Sequence, residues 1–289
     1  MLDGGTGREL ARIGAPFSQP LWSAQALIDS PDHVRRVHES YVAAGAEVIT
    51  TNTYALVPFH LGRELFDRDG RRLTALAASI ARDVADHHPG VTVAGCLPPV
   101  LGSYRPDLFV ADDARPLLDV LVQEQAPFVD LWLAETQSSI TEARFVREVL
   151  DAHGRREPLW ISFTLADEVD DAPRLRSGES VVDAAHAAQD LVAQVLLFNC
   201  SPPEVMERAV ATASSSTHLP IGVYANAFAM EHDQAAANAE LHDLRDDITP
   251  ERYLELSRRW VAAGASLVGG CCGIGPEHIS ALSAHLSGG

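Results

Sequence analysis

At 289 residues, 46% hydrophobic and 21% charged, the chain can bury a sizeable core and does not have the composition of a disordered segment. Its 40 acidic residues against 22 basic ones leave a formal charge of -18, which works against binding a nucleic-acid backbone or an anionic membrane. No transmembrane-length apolar run and no basic-then-apolar leader are visible, so a cytoplasmic location is expected, with the four cysteines as free thiols.

In chain order, short apolar runs alternate with helical patterns. Leu2 is the stub of the first run. Ser30 then reads as an N-cap with Pro31 at the first helical position, Val34, Val37 and Tyr41 follow on one stripe, and Gly45 ends the element. Further runs stand at residues 47–51, 91–95, 129–134, 159–164, 194–198 and 221–224. Thr249 and Pro250 repeat the helix-start pattern, with Tyr253, Leu256 and Trp260 before Gly264, and the last run covers residues 266–269. Residues 41–49 also resemble residues 260–268, so one unit, a helix stopped by glycine and feeding a buried strand, occurs twice.

Eight runs without clean polar alternation read as strands buried on both faces and predict a parallel sheet covered by helices. The expectation is a single domain over residues 1–289 that closes into a (β/α)8 TIM barrel, with a doubly wound sheet as the alternative. Either fold puts chemistry at the C-terminal ends of the strands. There the sequence places Asp3 with Gly4 and Gly5; Thr51, Asn52, Thr53 and Tyr54; Cys96; Glu135 and Thr136; Asn199 and Cys200; Asn226; and Cys271 with Cys272.

The adjacent pair Cys271-Cys272 is the least ordinary of these. In an eight-stranded barrel Cys200 would face it across one intervening strand, and three sulfurs from separate strand ends can bind zinc with a fourth position left for substrate. Neighbouring residues of a regular strand face opposite ways, so the pair can share a metal only if the backbone bends, as Gly269, Gly270 and Gly273 would permit. The competing reading is that each cysteine is a small buried apolar side chain, and for Cys96 that reading is preferred. Gly4-Gly5-Thr6-Gly7 lacks the spacing and the lysine of a phosphate loop. Two acidic segments, 167–180 and 229–247, are expected over the catalytic face; His232 and His242 lie in the second and would be ligands only in a different metal site. His87 and His88 precede a strand and belong at the opposite end.

These residues also occur in an order that resembles the homocysteine S-methyltransferase family. The matching words are Leu2-Asp3-Gly4-Gly5 with Gly7, Glu9 and Leu10; Gly45-Ala46 leading to Thr51-Asn52-Thr53-Tyr54; Glu135-Thr136; Asn199-Cys200; Tyr224 with Asn226; and Gly269-Gly270-Cys271-Cys272-Gly273. The resemblance implies a methyltransferase in which Cys200, Cys271 and Cys272 hold zinc and activate the thiol of L-homocysteine. The methyl donor would be an onium compound such as S-methylmethionine, betaine or S-adenosylmethionine, and the product L-methionine. It also implies that Asp3 and Glu135 grip the substrate ammonium, with Gly4, Asn52 and Asn226 nearby in the substrate site. Structural readings stand beside these roles: Asp3 as a cap on the Gly-rich turn, Glu135 paired with a basic residue, and Asn52 and Asn226 satisfying buried loops.

The chain departs from the family at Ala225 and Ala227-Phe228, where proline and a glycine-containing continuation are common, and at Cys96-Leu97-Pro98, where serine and Gly-Pro are common. Tyr104 is expected either in a donor pocket or in surface packing, and Asn199 either behind the zinc ligands or in a local turn. Methyl transfer to another thiol or selenol, or a non-catalytic zinc- or amino-acid-binding barrel, are the alternative functions. A homodimer is compatible with apolar helix stripes that a monomer would need as well.

Overall fold

The computed structural model describes residues 1–169, 172–228 and 243–286. Seven strands form one parallel sheet in sequence order: β1 (Val48–Thr50), β2 (Thr92–Leu97), β3 (Leu131–Gln137), β4 (Leu159–Phe163), β5 (Val195–Asn199), β6 (Ile221–Tyr224) and β7 (Ala265–Val268). Before β1 come α1 (Thr6–Arg12), α2 (Ser23–Asp29) and α3 (Pro31–Ala43). The crossovers carry α4 (Pro58–Leu61), α5 (Arg63–Asp86), α6 (Ala111–Gln125), α7 (Ile140–Ala152), α8 (Val181–Asp190), α9 (Pro203–Ser214) and α10 (Pro250–Ala263), and α11 (Pro276–Leu286) follows β7.

The closed eight-stranded barrel expected from sequence is corrected. The sheet is an open, curled half-barrel that runs 231° round, with its edges 10 Å apart. Seven of the eight expected runs form strands; the eighth, at Leu2, makes only a one-residue parallel bridge to Val48. Its reason is length. Met1 to Asp3 hydrogen-bonds to both edges, Leu2 N donating to Val268 O at 2.9 Å and Asp3 N to Val48 O at 3.0 Å, but the chain turns into α1 at once. The gap is about two strand spacings, the room one extended segment takes up. The doubly wound alternative fails too, because the strand order has no reversal.

Alternation along the strands decides what faces where. Leu131 and Leu133 point into the curl with Ala94, Val195, Leu197 and Tyr224, while Trp132, Ala134, Leu196 and Phe198 point out to the helices. Two steps beyond Leu133, Glu135 lies on the inner side of β3. Both glycine-stopped units form as expected: Gly45 and Gly264 take φ of 102° and 120°, and a Cβ at either would collide with Ser283 or Ser214. Thr249 caps α10 by accepting from Arg252 N at 3.3 Å, whereas the Ser30 hydroxyl turns to the His33 ring, 2.7 Å away, rather than to the backbone of α3. Among the described residues no helix is long and apolar enough to cross a membrane.

Candidate active site

The C-terminal strand ends surround a cavity of about 160 Å³. The three cysteines expected to converge do so: the Sγ atoms of Cys200, Cys271 and Cys272 all lie within 4.8 Å of one another. Cys200 directly follows β5 and holds φ at 50°, a left-handed conformation that a non-glycine residue adopts at a cost of about 1–3 kcal/mol. Cys271 and Cys272 lie beyond β7 in a turn. Cys271 N donates to Ala225 O, Ile274 N to Cys271 O, and Ala227 N to Cys272 O at 2.8 Å, so the backbone leaves the strand path and both side chains reach one side. Gly5 packs against this turn, where a Cβ would meet Cys271 O at 2.5 Å; Gly4 lacks that room too, facing Ile274 O at 2.4 Å.

Four of the five non-glycine residues with positive φ among the described residues line this cavity: Trp22, Tyr104, Thr136 and Cys200. Backbone strain of this kind collects where a fold is over-determined around a site. A register shift between β3 and β4 after Ala134 accompanies the turn at Thr136 and re-aims the end of β3.

The sulfur cluster shares protons unevenly. Hydrogen bonds from the thiols of Cys271 and Cys272 hold the Cys200 thiol well below its ordinary pKa, and their pairing with Cys200 holds those two above theirs. One thiolate stabilised by two thiols is a donor set ready for a soft cation. Sulfurs about 2.3 Å from a tetrahedral zinc stand about 3.8 Å apart, within the spacing observed. The residues present therefore fit a metal ion of that kind.

Asp3 and Glu135 also line the cavity, and burial raises both carboxyl groups, Asp3 to about 8 and Glu135 to about 7. Asp3 accepts from Thr50 N at 2.7 Å and from Thr50 Oγ1 at 3.3 Å, so it is tied to β1 rather than capping α1. Glu135 accepts from the Cys96 thiol at 3.0 Å. Among the described residues neither has a cationic side chain within ion-pair distance, which removes the reading of Glu135 as half of a buried salt bridge.

Asn52 lines the cavity and donates to Ser23 O at 3.3 Å. Asn226 is not among the described lining residues; its Oδ1 accepts from Phe228 N at 3.4 Å, a local turn bond. Asn199 ties three strand ends together instead of reaching a cysteine, accepting from Ser162 at 2.7 Å and donating to Thr136 Oγ1 at 2.8 Å. His87 and His88 are exposed at the far end. His232 and His242 lie outside the described residues.

Sequence reasoning missed the partnership of Cys96 with Glu135 and that of Tyr104, whose hydroxyl stands 2.9 Å from Cys200 Sγ. The first was signalled by the register that sets Cys96 beside Leu133, one pleat below Glu135. Nor did it find that Trp22, His60 and Phe228 join Tyr54, already placed at a strand end, in one wall, or that Arg8 is the single arginine or lysine among the described lining residues. Burial lowers His60 to about 4, so this wall presents a neutral imidazole.

The profile of the homocysteine S-methyltransferase family matches residues 1–286. The chain is 31% identical to the homocysteine S-methyltransferase of Escherichia coli (strain K12), over 98% of this chain and 94% of that one. It is 29% identical to homocysteine S-methyltransferase 1 of Zea mays, over 100% and 94%. The selenocysteine methyltransferase of Astragalus bisulcatus is 26% identical, over 100% and 93%. The crystal structure of the metallated E. coli homocysteine methyltransferase superposes with a TM-score of 0.80 at 27% identity, covering 98% of this chain and 94% of that chain.

Proposed function

The chain belongs to the homocysteine S-methyltransferase family, and on that premise we propose how its site methylates the thiol of L-homocysteine to give L-methionine: zinc is held by Cys200, Cys271 and Cys272, and the methyl group comes from an onium donor. The observation that carries this reading is the convergence, in one cavity, of three sulfurs with two carboxyl groups that have no cationic partner among the described residues. Bound zinc would supply the Lewis acidity that makes a substrate thiol give up its proton near neutral pH.

The chain's residues do the rest. Asp3 and Glu135 bind the substrate ammonium, whose charge replaces the missing partner and returns both carboxyl groups to their ionised form. Cys96 keeps one Glu135 oxygen engaged and so orients the other lone pairs. Asn52, with the backbone of Gly4 and Gly5, shapes the acceptor side; Asn226 acts by holding the turn at Phe228. Attack by sulfur on the methyl carbon forms the new C–S bond as the donor leaves as a neutral amine or sulfide, so positive charge disappears during transfer. The aromatic rings of Trp22 and Tyr54 attract the onium cation and expose it to little water, while the Phe228 ring already carries the Arg8 guanidinium 5.8 Å from its centroid. Alignment of sulfur, methyl and leaving atom is the largest service such a site offers.

The test is zinc content measured together with methionine formation from homocysteine and, separately, betaine, S-methylmethionine and S-adenosylmethionine, with a selenol acceptor as a further arm. Stoichiometric zinc and turnover with one donor are expected. Zinc without turnover would point to a non-catalytic binding protein; turnover indifferent to zinc removal would overturn the reading.

A further inference from the structure

Tyr104 lies in the loop between β2 and α6, and three features single it out. Its φ is 63°, a conformation that a bulky side chain avoids unless its surroundings impose it. Its hydroxyl stands 2.9 Å from Cys200 Sγ. Its ring is covered by the Arg176 guanidinium, 4.8 Å from the centroid.

Neither neighbour is loose. Arg176 makes two bonds to Asp167, at 2.6 and 3.1 Å, and its backbone N donates to Thr164 O at 3.3 Å, so the loop after β4 grips its own cation. The loop holding Tyr104 is anchored one residue earlier, where Ser103 Oγ meets Tyr54 OH at 2.8 Å. Loops following β2, β4 and β5 thus meet at one sulfur. A guanidinium over an aromatic face is attracted to it and so fixes the ring, and with it the direction of the hydroxyl.

We propose that Tyr104 is a positioning residue of the sulfur centre, its phenol donating to Cys200 Sγ while Arg176 clamps the ring in place. This rests on the reading that Cys200 is a zinc ligand, and that reading fixes the direction of the bond: a ligating cysteine has surrendered its proton, so only the phenol can donate. The bond orients one sulfur lone pair toward Tyr104, directs another at the metal, and stabilises the charge on sulfur.

Tyr104→Phe keeps the ring, and with it the Arg176 contact, while deleting the donor. In whole protein, zinc affinity read by chelator competition is expected to weaken by about 10–100-fold, the usual effect of losing a partner behind a metal ligand. In the cobalt(II)-loaded protein the sulfur-to-metal charge-transfer band is expected to move to longer wavelength, because an unbonded sulfur gives up its electron more easily. Arg176→Gln should move both readouts the same way by less, and it serves as the second variant should Tyr104→Phe fold poorly. Unchanged affinity and an unchanged band in these variants, with the parent chain binding zinc and turning over, would overturn this inference alone. A parent chain that takes up neither metal would overturn it together with the zinc reading.

Discussion

Glu135 and Glu142 lie on either side of Ser138 and Ser139, and burial raises both to about 7, yet the two carboxylates have different surroundings. Glu142 accepts from Ser138 N at 2.8 Å, Ser139 N at 2.9 Å and Ser139 Oγ at 3.2 Å, completing the capping box that starts α7. Glu135 accepts from a thiol, no backbone amide among the described residues donates to it, and it faces the cavity. A raised carboxyl pKa by itself therefore does not mark a functional group. What marks it is unspent hydrogen-bonding capacity turned toward a space a cation can enter.

The comparison is broken or sharpened first by neutralising each side chain. Glu135→Gln should lower kcat/KM for homocysteine by about 30–1,000-fold, mostly through KM, since one half of a buried charge pair is removed from the complex. The ligand-free protein should not lose stability, because glutamine can still accept from Cys96 and no longer needs a proton. Glu142→Ala should do the reverse, leaving kcat/KM at its parental value while costing about 1–3 kcal/mol of stability as buried amides lose their acceptor. Equal losses of activity from the two variants would end the distinction. Asp3→Asn should resemble Glu135→Gln at smaller scale, with a KM increase of about 10–100-fold, because Thr50 N retains an acceptor.

Acidity supplies a subtler test. The ammonium binds the ionised carboxylates, so the KM for homocysteine should fall as pH rises from 6 toward 8 through the values of Glu135 and Asp3. Stability of the ligand-free protein should run the other way. In the folded state these carboxyl groups bind more protons than in the unfolded chain between about pH 4 and 8, so unfolding free energy declines as pH rises through that window. Asp3→Asn should flatten that decline, and a thermal melt series over the window reads it. A KM independent of pH across 6–8 would mean that neither carboxylate meets the ammonium.

The smallest expected effect concerns Cys96. Cys96→Ala should raise the KM for homocysteine by about 2- to 10-fold as Glu135 loses the bond from that thiol, and Cys96→Ser should recover most of that loss. Indifference to Cys96→Ala would return this residue to the role of a small buried apolar side chain.

Much of the scaffold was legible because buried parallel strands and helix starts have local signatures: β4 begins at the expected Leu159, and β6 spans the expected run. The miss at Leu2 has a physical cause, since an apolar residue marks a burial preference and one residue cannot build a ladder. At the site, the cysteines and carboxylates were legible as residue types at strand ends. The bonds of Tyr104 and Cys96 were not, because each joins separate elements and depends on loop conformation or strand register. Asn226 illustrates the opposite limit: a polar residue in a family word spends its side-chain acceptor on the amide two residues ahead.

The most direct measurement is zinc-edge X-ray absorption of the parent protein with and without L-homocysteine. Three sulfurs at about 2.3 Å are expected without substrate and four with it. A sulfur count that homocysteine leaves unchanged, or fewer than three sulfurs at the outset, would contradict the assignment of Cys200, Cys271 and Cys272 as the centre that receives the substrate thiol.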